Sequence, residues 1–580
     1  MAPCRAKGLQ KIKYMGILKK SQGRDLPGTT VKKVKIEITG MTCDHCAASI
    51  EKLVERKKGI IAARVSYETG RGEFTFNRRD ISEKEIVAAI NSTKNYRVKS
   101  ITHSGEEGKA TATRFDLIII GGGSAAFSAA IHANELGLST LMVNGGLPIG
   151  GTCVNVGCLP SKHLIRAAES IHKASHSPFD GIQPNKPGWD YDKILHQKKE
   201  LVKGMQQKKY QDVVKTFSHL SMVEGWAKFT DPHAIRLNDG KEFTADKFII
   251  ATGSKTSVPP VEGLREIGYL TNETLFDLES LPESITIIGG GYIGLEIAQA
   301  YRRFGSKVRI IEYYNRILPT QSKDIAGELA KYFTEEGIEI ITGVRLAKAV
   351  QQGNHVVLQG MQNEQLVEFV ENGKVVIAAG REPNTSTLGL DKARVDTLAS
   401  GHIKVNKFLE TNVPGIYAVG DCNPNPPFVY TAAYEGKIAV QNAFEGLNRK
   451  ADYTGMPWVI FTDPQVAGVG MDEHQAEKQG LPYEISKLPL QEVPRAASAL
   501  DTRGFIKLIR NPETDQLLGA RIVAPEGGEL VMEVSLAIKY GISVTELAES
   551  FHPYLTLSEG IKLAAVTFKK DIAELSCCAT

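Results

Sequence analysis

No run of apolar residues in this chain approaches 18, which excludes a membrane-spanning helix. Cysteine is scarce, eight in 580 residues, which excludes the dense disulfide framework of a small secreted domain. Six of the eight form three close pairs, Cys43/Cys46, Cys153/Cys158 and Cys577/Cys578, and such pairs suit redox and metal chemistry in a reducing cytoplasm. Excess charge is also missing. The formal net charge is +4, but residues 1–30 hold Arg5, Lys7, Lys11, Lys13, Lys19, Lys20 and Arg24 against Asp25 alone. The rest of the chain is therefore slightly acidic and gives no argument for a nucleic-acid partner. The basic opening lacks the apolar stretch and small-residue cleavage site of a secretory signal; being basic and poor in acids it is compatible with an organellar presequence, against which stands its scarce serine. It reads as a disordered tail.

What the sequence does hold is organised in blocks. At this length several domains are expected. VKKVKIEITG alternates as a strand, TCDHCAASIEKLVERKKG is a loop running into a helix, and IIAARVSYETGRGEFTFN is two strands around a glycine turn. DISEKEIVAAINSTKN follows as a helix, with Asp80 as N-cap and Glu83 three residues on. YRVKSI closes a βαββαβ, ferredoxin-like unit over residues 31–101. Residues 102–113 form a linker.

From residue 114, RFDLIIIGGGSAAFSAAIHANELG reads as a buried strand, a glycine turn and a helix. Gly121, Gly123 and Ala126 fit the dinucleotide fingerprint: a tight turn, a close backbone approach to a pyrophosphate, and a small residue for helix-on-strand packing. The acid expected about 20 residues on, for the ribose hydroxyls, is absent; the next strand ends in Asn144, a weaker hydrogen-bonding substitute. Gly289, Gly291 and Gly294 repeat the fingerprint, and VRIIE ends in Glu312, which suits a free 2′-hydroxyl and leans to NADH; Arg316 nearby complicates that reading. Two fingerprints mean two nucleotides. Residues 456–580 alternate strands and helices without a phosphate loop and read as a separate α+β domain.

GGTCVNVGCLPSK, ATGSKTSVPP, AAGREPNT and IYAVGDC together resemble the flavin-dependent pyridine nucleotide–disulfide oxidoreductases, from about residue 114 to 580. The resemblance implies an α/β architecture. An FAD-binding domain would occupy 114–275 and 396–455, a second Rossmann-like NAD(P)-binding domain 276–395, and a dimerisation domain 456–580. It implies FAD and a reduced nicotinamide as cofactors. By the same resemblance Cys158 is the thiolate against the flavin and Cys153 the exchanging thiol. Lys162 pairs with Glu296 near flavin N5, and Asp421 binds the ribityl chain. Gly146, Thr152, Ala251 and Val429 match further flavin contacts.

The end of the chain narrows the resemblance. Disulfide-reducing members carry an acid histidine five residues before a glutamate. In HPYLTLSEG, counting back from Glu559 gives Tyr554, while His552 falls two residues early, on the opposite face of an extended segment. With the LSCCAT ending and KKYQDVV around Tyr210, this resembles the mercuric ion reductases. Their pattern implies that Cys577 and Cys578 take the ion and pass it to Cys153 and Cys158 of the other subunit. Tyr210 and Tyr554 would flank it. GMTCDHCAAS resembles the heavy-metal-associated domain, whose two cysteines, here Cys43 and Cys46, bind one ion at a helix start. A helix N-terminus lowers thiol pKa and so favours binding.

The resulting expectation is a cytoplasmic homodimer that reduces thiol-bound Hg(II) to Hg(0). It would use NADPH by resemblance, or NADH by Glu312. No nucleic acid or membrane insertion is expected, and an ion hand-off from a mercury transporter is compatible with the pattern. A small-disulfide or lipoamide reductase is the enzyme rival, opposed by Tyr554. A metal-binding chaperone is the other, opposed by the two intact fingerprints.

Overall fold

The computed structural model describes residues 31–41, 44–67, 69–77, 80–93, 96–104 and 113–574. The expectations for the tail 1–30, for Cys43 and for Cys577 and Cys578 lie outside the described residues. The chain divides into two compact units between Thr111 and Ala112.

The first unit has the order β1 (Val31–Thr39), α1 (Asp44–Glu55), β2 (Ile60–Ser66), β3 (Arg71–Asn77), α2 (Glu83–Asn91) and β4 (Arg97–Ser104). The antiparallel sheet runs β2-β3-β1-β4. Alternation puts Val34, Ile36 and Ile38 of β1 and Phe74 and Phe76 of β3 on one face, where Ile50, Val54, Ile86 and Ile90 of the two helices close a core of their own. The expected N-cap was misplaced. Ser82, not Asp80, caps α2, in a capping box with Glu85. Asp80 is taken by the preceding turn, where its carboxylate accepts from Asn77 Nδ2 at 2.7 Å. β4 also runs to Ser104, so the first three residues of the expected linker belong to the sheet.

The second unit begins with β5 (Thr113–Ile120), α3 (Ser124–Glu135) and β6 (Thr140–Asn144). β5 is apolar without alternation because it is covered on both faces. Leu117 and Ile119 enter one cluster with the alanines of α3, and Ile118 and Ile120 enter another with Phe229 and Phe248. Parallel neighbours on either side are β6 and strand Glu242–Ile250. Ile416–Ala418, far along the chain, rejoins this sheet, and helix Val429–Val440 lies against α3, where Ser128 Oγ donates to Ala433 O at 2.5 Å.

Between these segments stands a four-stranded parallel sheet built on Ser284–Ile288, with a three-stranded antiparallel sheet beside it in the chain. The last region is a five-stranded antiparallel sheet, in the order 457–460, 465–470, 517–524, 505–510, 484–489. Helices Gly527–Tyr540 and Glu559–Val566 pack on it through Leu530, Val534, Ile561 and Ala564.

Candidate active site

The first glycine turn explains why its leading residue carries no side chain. Gly121 has φ of +132°, and a Cβ there would sit 2.2 Å from Ala251 O. Gly289 repeats this, with φ of +114° and a Cβ position 2.4 Å from Ala378 O. Both turns therefore bring the start of a helix close to the end of a neighbouring strand, leaving backbone N–H groups for a phosphate.

Below the first turn a second pair of glycines, Gly150 and Gly151, both with positive φ, reverses the chain into α4 (Gly151–Asn155). This short helix carries Thr152 and Cys153. Gly157 breaks it, and Cys158 opens α5 (Cys158–Ser175). Cys158 thus stands at a long helix N-terminus, where partial positive charge favours a thiolate. The thiol of Cys153 hydrogen-bonds to Cys158 and, with Lys162 one turn further on, lowers the Cys158 pKa to about 7 against the opposing effect of burial. The Cys153 thiol is raised in turn, first by that hydrogen bond and then by burial. Both cysteines are free thiols in the structure, one drawn toward the thiolate and the other toward the protonated form.

Lys162 Nζ lies 2.6 Å from Glu296 Oε2, on helix Tyr292–Phe304 of the second nucleotide fold. Glu296 Oε1 accepts from Phe461 N at 3.0 Å, and the Phe461 ring lies 4.6 Å from Lys162 Nζ. One carboxylate therefore joins three segments that are far apart in sequence.

These groups face a half-open cleft. Gly123, Thr152, Cys153, Cys158, Lys162, Ala251, Glu296, Asp421 and Val429 all line it. Gly121, Ala126 and Gly146 do not; Gly121 shapes the turn, Ala126 is buried in helix packing, and Gly146 lies under Trp226. Tyr210 stands behind the dithiol, edge-on to Phe127 at 4.8 Å and close to Gly150. Its phenol pKa is raised, first of all by burial.

Three contributors escaped the sequence reading. Ser254 Oγ donates to Asp421 Oδ2 at 2.7 Å, and Arg381 Nε donates to Ser254 Oγ at 2.8 Å. Both residues sat inside the quoted motifs ATGSK and AAGREP without a role. Glu435 is fully buried under the Gly420–Cys422 turn, accepting from Gly420 N at 2.6 Å, Asn423 Nδ2 at 2.9 Å and Asn425 Nδ2 at 2.8 Å. Burial raises its pKa. Its only sequence signal is an acid in the alanine-rich helical stretch TAAYEGKIAV. Cys422, buried beside it, has its thiol pushed up to about 12 by burial and is a packing residue.

Two expectations meet a different geometry. Glu312 is buried, and its carboxylate already accepts from Gly290 N at 2.6 Å and Tyr314 N at 2.8 Å. Arg316 Nη2 donates to the carbonyls of Pro319 and Gln321 instead of reaching outward. Asn144 likewise turns its amide to Leu147 O and to Glu224. In the last region His552 is spent: Nε2 lies 2.5 Å from Glu533 Oε1, and the side chain is 6% exposed. Tyr554, two residues on, is 49% exposed.

The pyridine nucleotide-disulphide oxidoreductase family matches residues 115–436, its dimerisation domain residues 456–565, and the heavy-metal-associated domain residues 35–97. Mercuric reductase from Lysinibacillus sphaericus is 39% identical over 95% of this chain and 100% of its own length. The mercuric reductase from Staphylococcus aureus is also 39% identical, with the same coverage. The chain belongs to the mercuric reductases.

Among solved structures, the Cu(II) complex of the HOCl-induced flavoprotein disulfide reductase RclA from Escherichia coli superposes with a TM-score of 0.70 at 28% identity. It covers 79% of this chain and all of its own. The family's cofactors are FAD and a nicotinamide nucleotide, and its dimerisation domain makes a homodimer. The residues present fit a flavin: the turn at Gly121 leaves no room for a side chain, Thr252 Oγ1 is buried at the adjoining strand end without a partner, and Asp421 lines the cavity. Among the described residues no helix is long and apolar enough to cross a membrane.

Proposed function

We propose that the chain reduces Hg(II) to Hg(0) with two electrons from NADPH, in the cytoplasm, as a homodimer whose sites are shared between subunits. FAD, held at the Gly121 turn and by Asp421, would supply the two-electron chemistry between the nicotinamide and the metal substrate. The protein's own groups hold the substrate and set the protons. Cys158, as thiolate at ordinary pH, and Cys153, once its proton leaves, present two soft ligands to a soft ion. Lys162 balances the negative charge of the pair, and Glu296 fixes Lys162 in place.

The observation that carries this reading over disulfide reduction is at residues 552–554. The only histidine in that segment is locked onto Glu533, and an exposed phenol stands where a leaving thiolate would need an acid. A metal ion needs no such proton. Cys577 and Cys578 would receive the ion by thiol exchange and deliver it to Cys153 and Cys158 of the partner subunit. Tyr210 and Tyr554 would border it, and Cys43 with Cys46 would collect it upstream, from small thiols or from a mercury transporter. NADPH is favoured as donor by the family resemblance, and the turning of the Glu312 carboxylate onto Gly290 N and Tyr314 N weakens the residue-level argument for NADH.

The test is turnover of the flavin-loaded protein. NADPH oxidation should depend on Hg(II) and release elemental mercury in equal amount, while oxidised glutathione and lipoamide should give no comparable rate. Rapid reduction of either disulfide without mercury turnover would overturn the proposal.

A further inference from the structure

The first nucleotide fold lacks a carboxylate at the end of β6, the place from which such folds hold the adenosine ribose. The structure shows what stands there instead. Asn144 is 4% exposed, and a Cβ on Gly122 would lie 2.1 Å from Asn144 Oδ1, so this amide is pressed against the glycine turn. Its Nδ2 donates to Glu224 Oε2 at 3.0 Å and Oε1 at 3.3 Å. Glu224 is the last residue of strand Leu220–Glu224, which runs parallel to β6 with Asn144 directly opposite Glu224. Glu224 is exposed, and among the described residues no lysine or arginine lies within ion-pair distance of it. Two residues on, Trp226 is 58% exposed, and its ring covers Gly146, whose Cβ position lies 3.1 Å from it.

We infer that Glu224 supplies, from the neighbouring strand, the ribose carboxylate that β6 lacks, with Asn144 as the residue that positions it and Trp226 as an apolar wall for the adenine. A carboxylate has about four acceptor sites, and one amide donor leaves the others for two ribose hydroxyls. The amide oxygen of Asn144 faces the turn and cannot accept from both. Glu224 has no cationic partner among the described residues, and Trp226 lies on the Gly145–Gly146 turn with more than half of its surface open. Both are explained by a nucleoside seated over the Gly145–Gly146 turn. This rests on the flavin occupancy proposed above.

The test is FAD binding by the full-length apoprotein, followed by tryptophan and flavin fluorescence, with natural FAD and with FAD whose adenosine ribose lacks the 2′-hydroxyl. Wild type should bind the deoxy analogue about tenfold more weakly, the size of one charge-assisted hydrogen bond. Glu224→Gln should weaken natural FAD by a similar factor and bind the two flavins alike. Moving the acid back, in Asn144→Glu/Glu224→Gln, should restore the discrimination, which separates this role from damage to the fold. Equal discrimination in wild type and Glu224→Gln would overturn the inference. Wild-type apoprotein that takes up neither flavin would overturn the flavin reading itself.

Discussion

Lys162 and Glu296 stand 134 residues apart in sequence and 2.6 Å apart in space, and the lysine is one helical turn from the thiol it polarises. Lys162→Met removes a cation that holds the Cys158 pKa down. The Cys158 pKa should rise by on the order of one unit, and mercury-dependent turnover at neutral pH should fall with it. A pH series of turnover, variant against wild type, checks this.

The dithiol has its own pH signature. Because the Cys158 thiol is lowered to about 7, its thiolate should form as pH rises through 7, well below an ordinary thiol. In the two-electron-reduced protein the long-wavelength thiolate–flavin absorbance should therefore grow between about pH 6 and 8. Cys158→Ala should abolish it together with turnover. Cys153→Ala should move the midpoint upward, since the Cys153 hydrogen bond is the largest influence holding it down.

Glu435 predicts a split between two substitutions. Glu435→Ala leaves the Gly420 N–H, the buried Asn423 amide, the half-buried Asn425 amide and the Tyr453 hydroxyl without their acceptor, a loss of about 2–4 kcal/mol. Thermal unfolding should show a lower Tm and the flavin should be lost more readily. Glu435→Gln keeps an acceptor in place and should cost less than half as much.

Removal of residues 1–111 should leave flavin content and reduction of small-thiol mercury complexes nearly unchanged, because both glycine turns and the Cys153/Cys158 pair remain. Transfer of mercury from the isolated first unit to the second, followed by stopped-flow absorbance, should require both Cys43 and Cys46.

The tail cysteines should matter for delivery and not for electrons. In Cys577→Ala/Cys578→Ala, flavin reduction by NADPH should be unaltered while reduction of dithiol-bound mercury collapses. Mixing that protein with Cys153→Ala/Cys158→Ala should return roughly a quarter of wild-type turnover, from the one complete site in each mixed dimer. No recovery, with subunit exchange demonstrated by mass spectrometry, would place both pairs of a working site in one subunit.

The parts legible in the sequence were those set by local pattern. Alternation in β1 and β3, the unbroken apolar run of β5 and the glycine spacing at 121–126 and 289–294 each follow from backbone geometry within a few residues. The α2 cap was legible only as a choice. Asp80 with Glu83 and Ser82 with Glu85 both satisfy the capping spacing, and the hydrogen bond from Asn77 to Asp80 decided between them. The orientation of Glu312 was hidden because an acid at a strand end can face a ribose or fold onto its own glycine turn, and spacing is the same for both. Ser254, Arg381 and Asp421 form one hydrogen-bonded chain, with Arg381 127 and Asp421 167 residues beyond Ser254, and nothing in any one segment announces the others.

The first unit closes its own core between sheet and helices, with none of its buried side chains shared with the clusters of the second. In evolutionary terms it is a detachable cartridge. Duplication, exchange or deletion of its coding segment should leave the folding of the catalytic body untouched, so that, if Cys43 and Cys46 collect the ion as proposed, the number of collectors could follow the metal load of a habitat while the redox chemistry stays fixed.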